Sequence, residues 1–168
     1  MTIYTAKQLS RILEPHGRYT LSPEKILAFR NEKQGGHHPK PWGLWYDCGA
    51  EWLAWVSKYY PDWLPKWNYV YRVRPTDAVL QVQTAEEVVE FNARYQHRER
   101  AYTDFIDWSA VAKDFPGVEF CPYLYEIRLD FVWYHTLDVP SGCIWNERGL
   151  DDLDLVAQRV GEDAWELV

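Results

Sequence analysis

The run GLWYDCGAEWLAW, Gly43 to Trp55, gathers Trp45, Tyr46, Trp52 and Trp55 into one short stretch. Rings grouped this way offer stacking walls for a flat aromatic ligand, although the same rings also serve as core in a small domain. Three other groups of residues have weaker chemistry. His37 and His38 are metal-ligand types without an acidic or cysteine partner at ligand spacing, so a lid or surface role suits them better. Ser141, Gly142 and Cys143 place a thiol in a small-residue run, but no nucleophile, base and orienting acid can be assembled around it. His135 sits among aromatics, where a satisfied core histidine is the ordinary reading, and Glu126 alternates with Arg128 as a solvent face would.

The elements that must position these residues follow from local signals. Gly43 to Tyr46 is apolar at strand length, Asp47 to Gly49 is turn chemistry, and Trp52, Trp55, Val56 and Tyr59 recur at helical spacing. Upstream, Thr5 caps a short helix, RYTL reads as a strand, and Ser22, Pro23 and Glu24 predict that LSPEKILAF leaves that strand for a helix. The run Asn31 to Pro41, with Gly35, Gly36, Pro39 and Pro41, is the candidate mobile lid. NYVYRVR alternates as a strand, AVLQV follows as another, and Thr84 with Glu87 forms a capping box that opens TAEEVVEFNARY. Asp107 caps DWSAVAKDF; VEF, YLYEIRL, VWYHT and GCIW look extended. From Glu147 to Val168 the chain is acidic, with Leu150, Leu153, Val156 and Val160 spaced for a closing helix and tail. The order of strands and helices predicts an α+β fold with a curved, mostly antiparallel sheet.

A chain of 168 residues with 47% hydrophobic content fits a single domain, residues 1–168. Its aromatic content of 17%, ten Trp included, exceeds what packing alone needs and points to a ring-lined cleft or partner surface. A net charge of −7 lacks the basic footprint of a nonspecific nucleic-acid binder; Arg72, Arg74 and the Arg94 to Arg100 stretch are the local exceptions. Cys48, Cys121 and Cys143 are odd in number and far apart, which suits neither a disulfide framework nor a zinc site, and a reducing cytoplasm is the simplest context. No segment approaches membrane-spanning length, so no membrane partner is expected.

The order YTLS, then GLWYD, then a ring-bearing helix resembles the ADP-ribosyltransferase fold, which includes the NAD-dependent tRNA 2′-phosphotransferases. In that family a first strand carries a His-Gly-Thr/Ser-like element, and a later GIYF-like strand precedes a helix with a second ring. The resemblance implies a split, mostly antiparallel sheet with flanking helices, and NAD as the bound substrate with no metal. By position it implies that the main chain of Leu21 holds the nicotinamide carboxamide. Thr20, in place of the usual His or Arg, and Ser22 belong to the same binding element, Trp45 is the stacking ring, and Trp52 or Trp55 is the other wall. The family glutamate near the start of a late strand falls at Gly142 in SGCIWN. The carboxylates nearest it are Asp138, before Pro140, and Glu147, after the strand; Asp138 is preferred, with a local turn role as its alternative. Such a site would transfer ADP-ribose to a macromolecular acceptor, a protein rather than a nucleic acid given the charge. Small stand-alone members of the fold occur in phages and bacterial conflict systems. The alternatives are a catalytically silent member acting as a binding or inhibitor protein, and, third, an RNA 2′-phosphotransferase, which would need a basic cleft.

Overall fold

The computed structural model describes every residue except Gly36 and His37. In chain order the strands are β1 (Ile3–Tyr4), β2 (Arg18–Ser22), β3 (Leu44–Cys48), β4 (Tyr69–Pro75), β5 (Leu80–Gln81), β6 (Gly117–Phe120), β7 (Ser141–Ile144), β8 (Leu150–Gly161) and β9 (Ala164–Leu167). The helices are α1 (Ala6–Ile12), α2 (Glu51–Tyr59), α3 (Ala85–Tyr95), α4 (Trp108–Asp114) and α5 (Val132–His135), joined by short 3-10 turns. The fold is α+β and its strand pairs are mostly antiparallel. Two compact units are present: Met1–Phe29, Tyr46–Arg74 and Leu150–Val168 form the first, Arg30–Trp45 and Pro75–Gly149 the second.

In the first unit the strand order is β1-β9-β8-β4-β2-β3. Its core packs Leu9 of α1, Leu53 and Val56 of α2, Val70 of β4 and Trp165 of β9. The Thr5 cap is made as expected, with its hydroxyl accepting the Gln8 N–H and the Gln8 side chain reaching back to the Thr5 N–H at 2.8 Å. In the second unit the order is β7-β6-β5, with β5 and β6 parallel and β6 and β7 antiparallel. Here α3 opens on the Thr84–Glu87 capping box and α4 on Asp107, and their buried faces, Val88, Phe91, Trp108 and Val111, pack with Phe120, Trp133 and Trp145.

Four expectations are corrected. The 147–168 segment is a hairpin, β8 and β9, in place of a helix and tail. Arg159 pairs with Trp165 and Gly161 with Ala164, and Asp163 in the turn accepts the Ala6 N–H at 2.7 Å. Residues 23–29 are not helical. Ser22 remains in β2 opposite Tyr69, and its hydroxyl donates to the Glu24 carbonyl at 2.5 Å, so it caps no helix. YLYEIRL contains a 3-10 turn, Tyr125–Ile127, and VWYH is the single helical turn α5. Finally, neither Cys48 nor Cys121 is a free thiol, and Cys143 is free and buried. The cysteine argument for a reducing compartment therefore does not stand. Among the described residues no helix is long and apolar enough to cross a membrane.

Candidate functional site

The motif strand β2 is held on both sides, but unequally. With β4 its register runs from Arg18↔Val73 through Ser22↔Tyr69; with β3 it comprises Arg18↔Cys48 and Tyr19↔Asp47. The Ser22 carbonyl accepts the Asn68 N–H at 2.9 Å on the β4 side, whereas the Gly17 carbonyl accepts the Gly49 N–H at 2.7 Å on the opposite side. Because backbone polar groups alternate along a strand, Leu21 shares the orientation of Gly17 and Tyr19 and directs its N–H and C=O away from β4. Among the described pairs Leu21 thus lies two residues past the last β3 pair, with its main-chain donor and acceptor on the side of β2 away from β4. Thr20 is buried opposite Tyr71, and Ser22 is buried with its hydroxyl committed to Glu24.

The side chain of Leu21 packs against the same core as Trp52 and Trp55. These two indoles stack on one face of α2, 5.1 Å between centroids and 15° between planes, and Trp67 meets Trp52 edge-on. At the head of the helix Ala50 adopts a left-handed backbone and supplies no side-chain cap. Asp47 caps the first turn in its place, with Oδ2 accepting the Trp52 N–H at 2.8 Å. The carboxyl is 4% exposed, its Oδ1 has no partner, and burial pushes its pKa up to about 7, against the lowering effect of the backbone N–H groups of Trp52 and Ala50. Its position in a turn tripeptide concealed this burial. The local signal was an acid standing between an aromatic strand and a helix with no capping side chain of its own.

The second unit holds Trp45, Asp138 and Glu147. Trp45 packs against the Trp108 and Trp145 core, donates its indole N–H to the Pro41 carbonyl at 3.1 Å, and carries the Lys40 ammonium 5.8 Å from its ring. Gly43 has φ +153°, and a Cβ there would overlap the Ile144 carbonyl, so the glycine of the GLWYD motif is required for β3 to enter beside β7. The described part of the candidate lid is fastened. The Gln34 amide both donates to the Trp42 carbonyl at 2.6 Å and accepts the Trp42 N–H at 2.9 Å, and the Trp108 indole donates to Pro39. His38 stacks on Trp42 at 3.8 Å, its Nε2 accepts the Gly35 N–H, and its Nδ1 meets the Lys40 carbonyl. Both ring nitrogens are therefore engaged and neither offers a metal a lone pair; His37 lies outside the described residues.

Asp138 is exposed after α5, near enough to Tyr123 that its charge helps burial raise that phenol's pKa. Tyr123 stacks on Tyr134 with centroids 5.2 Å apart. Glu147 is also exposed, and its N–H is donated to Asn31 Oδ1 at 2.7 Å. Between them the start of β7, Ser141 and Gly142, is buried. His135 is exposed and not a core histidine. Arg72, Arg74 and Arg94 each meet a carboxylate, Glu14, Asp152 with Asp154, and Asp114 respectively, which neutralises three of the expected basic positions.

No protein-family model, curated protein or solved structure matches the chain.

Proposed function

We propose that the chain binds NAD and transfers its ADP-ribose to a macromolecular acceptor, a protein in preference to a nucleic acid. The observation that carries this reading is the main chain of Leu21. It lies on the strand of the YTLS motif, next to the GLWYD strand, with an N–H and a C=O directed away from β4 and past the last β3 pair. A carboxamide has one acceptor oxygen and an NH2 donor, so a backbone donor and acceptor on one residue match it without any particular side chain. The GLWYD strand leads at once into the Trp52 and Trp55 helix, in the order the resemblance requires.

In this reading Leu21 orients the carboxamide, Trp45 stacks on the nicotinamide ring, and Trp52 or Trp55 supplies a further ring. The bond from the ribose anomeric carbon to the nicotinamide nitrogen breaks, and nicotinamide leaves with the bonding pair. Asp138 offsets the positive charge that develops on the ribose, with Glu147 as the other carboxylate available for this role. The acceptor nucleophile then forms the new bond to the anomeric carbon and releases its proton to water.

A silent binding protein of the same fold is the second reading. It is favoured by the buried, carboxylate-free start of β7 and by the exposure of both Asp138 and Glu147. One experiment separates the two. NAD is titrated by Trp fluorescence and calorimetry into wild type, Trp45→Ala and Asp138→Ala, and nicotinamide release is followed in parallel. The transferase reading expects wild-type binding, at least about tenfold weaker binding for Trp45→Ala, and retained binding without nicotinamide release for Asp138→Ala. Binding with no nicotinamide release by any of the three proteins supports the silent reading. Absence of binding at millimolar NAD rejects the transferase reading and leaves the aromatic rings to be tested as a protein interface.

A further inference from the structure

The turn between β3 and α2 holds two features that oppose its own closed form. Asp47 is buried, and only one of its carboxyl oxygens has a partner: Oδ2 accepts the Trp52 N–H at 2.8 Å, whereas Oδ1 meets none among the described residues. Three residues on, Ala50 alone of the described non-glycine residues has a positive φ, at 58° with ψ 27°, a left-handed conformation that its Cβ disfavours. Gly49 between them is pinned. Its N–H donates to the Gly17 carbonyl at 2.7 Å, its φ is +77°, and a Cβ there would lie 2.6 Å from the Pro15 carbonyl oxygen. The chain is thus fixed at Gly49 and strained at Ala50.

The charges around Asp47 do not compensate for its burial. Across the ladder stands Tyr19 of β2, whose hydroxyl accepts the Glu14 N–H at 3.0 Å and lies against the Arg72 guanidinium, itself paired with the Glu14 carboxylate. From α2 the charge that acts on Asp47 is Glu51, of the same sign. Cys48, the next residue of β3, is not a free thiol. What favours the carboxylate is the set of backbone N–H groups of the turn itself, those of Trp52, Ala50 and Leu53. A neutral carboxyl gives up little by leaving Oδ1 dry, but a carboxylate gives up the hydration of a full charge. Water restores that hydration once the turn opens.

We infer that Asp47 is a proton-operated latch on the first turn of α2: its neutral carboxyl holds the turn closed, and its ionisation favours an open form in which water reaches Oδ1 and the helix end carrying Trp52 loosens. Opening relieves the strain at Ala50 and the buried charge together. The buried Leu53 and Val56 keep the rest of α2 on its core. Trp52 is half-buried and stacked on Trp55, so one proton governs how firmly that pair is presented. These are rings that the proposed function uses, yet the inference stands whether or not NAD binds. In the closed turn the carboxyl keeps its proton up to about pH 7, whereas in an open, hydrated turn it ionises near 4 as an ordinary acid does. The opening equilibrium therefore rises about tenfold for each pH unit between those values and is level on either side of them.

The test is amide hydrogen exchange by NMR on the full chain from pH 4 to 8, with each rate divided by that of an unstructured chain at the same pH. Asp47→Asn, which keeps an acceptor oxygen and cannot ionise, runs beside the wild type. In the wild type the Trp52 and Ala54 amides should be less protected than those of β4, and their protection should fall at least about a hundredfold from pH 4 to 7 and then hold. In Asp47→Asn the same amides should keep a level protection. A Trp52 amide as protected as the β4 amides would mean that the turn opens only when the whole unit unfolds, and would overturn the latch. Low protection that does not change with pH, or an equal fall in Asp47→Asn, would overturn it as well. Should Asp47→Asn fail to fold, the wild-type profile is read beside the carbon-13 titration of the Asp47 carboxyl, where a midpoint near 4 overturns the proposal and one near 7 supports it.

Discussion

The Asp47 carboxylate accepts the backbone N–H of Trp52 at 2.8 Å, so a residue of β3 secures the first turn of the helix that carries Trp52 and Trp55. One buried acid thereby links the end of the GLWYD motif to the direction in which Trp52 and Trp55 are presented. The arrangement costs stability, because the backbone N–H groups that face the carboxyl do not compensate for removing the charge from water.

The sign of the pH dependence follows. Folding raises the Asp47 pKa from 3.8 to about 7, so between these values the folded chain holds a proton that the unfolded chain has lost. Stability from this group is fully present below about pH 4 and falls as pH rises through 7, by an amount on the order of 4 kcal/mol at most. Urea unfolding of wild type and Asp47→Asn from pH 4 to 8 measures it. The wild type should lose stability relative to the variant across the window; no difference would mean that the carboxyl titrates as an ordinary exposed acid, and the reverse trend that its hydrogen bonds outweigh its burial.

Gly43→Ala should destabilise the second unit by about 1 to 3 kcal/mol, since φ +153° is strained for alanine and its Cβ would overlap the Ile144 carbonyl. Thermal unfolding followed by near-ultraviolet circular dichroism reads this directly. An unchanged midpoint would show that β3 and β7 separate without loss at this position.

Gln34→Ala removes both amide bonds to Trp42 and should loosen the described part of the 31–41 loop while leaving the cores intact, at a local cost of about 1 to 2 kcal/mol. Hydrogen exchange is the suitable probe: faster exchange confined to the loop and the Trp42 amide is expected. Faster exchange of α3 or β6 amides would instead make Gln34 part of the general packing.

Arg159→Met keeps much of the apolar stem and deletes the hydrogen bonds to Trp67, Asn68, Pro65 and Gly161. Global stability should fall by roughly 2 to 3 kcal/mol, and the Trp emission should shift as the turn carrying Trp63 relaxes. Wild-type denaturation and emission would show that the turn holds itself without the guanidinium.

The helices that begin with a complete local signal were legible in the sequence. Thr5 with Gln8 and Thr84 with Glu87 satisfy their own orphan N–H groups within one turn, so the surrounding chain has little to add. The aromatic strand running into the Trp52 helix was legible for the same reason, and it already grouped rings suited to stacking. Elsewhere a local signal met a stronger distant partner. Ser22, Pro23 and Glu24 carry a helix start, yet the Ser22 carbonyl is taken by Asn68 and its backbone by the β4 ladder. Leu150, Leu153, Val156 and Val160 fit a helical period as well as they fit a long strand. The choice fell to pairing with β9 and to the Asp163 bond that ties the hairpin turn to α1. The burial of Asp47 also lay beyond the sequence, as did which indoles find an acceptor: Trp45 meets the Pro41 carbonyl, whereas the buried Trp165 nitrogen meets none among the described residues. Residue type specifies that an indole donates, and only the tertiary packing decides whether an acceptor stands in front of it.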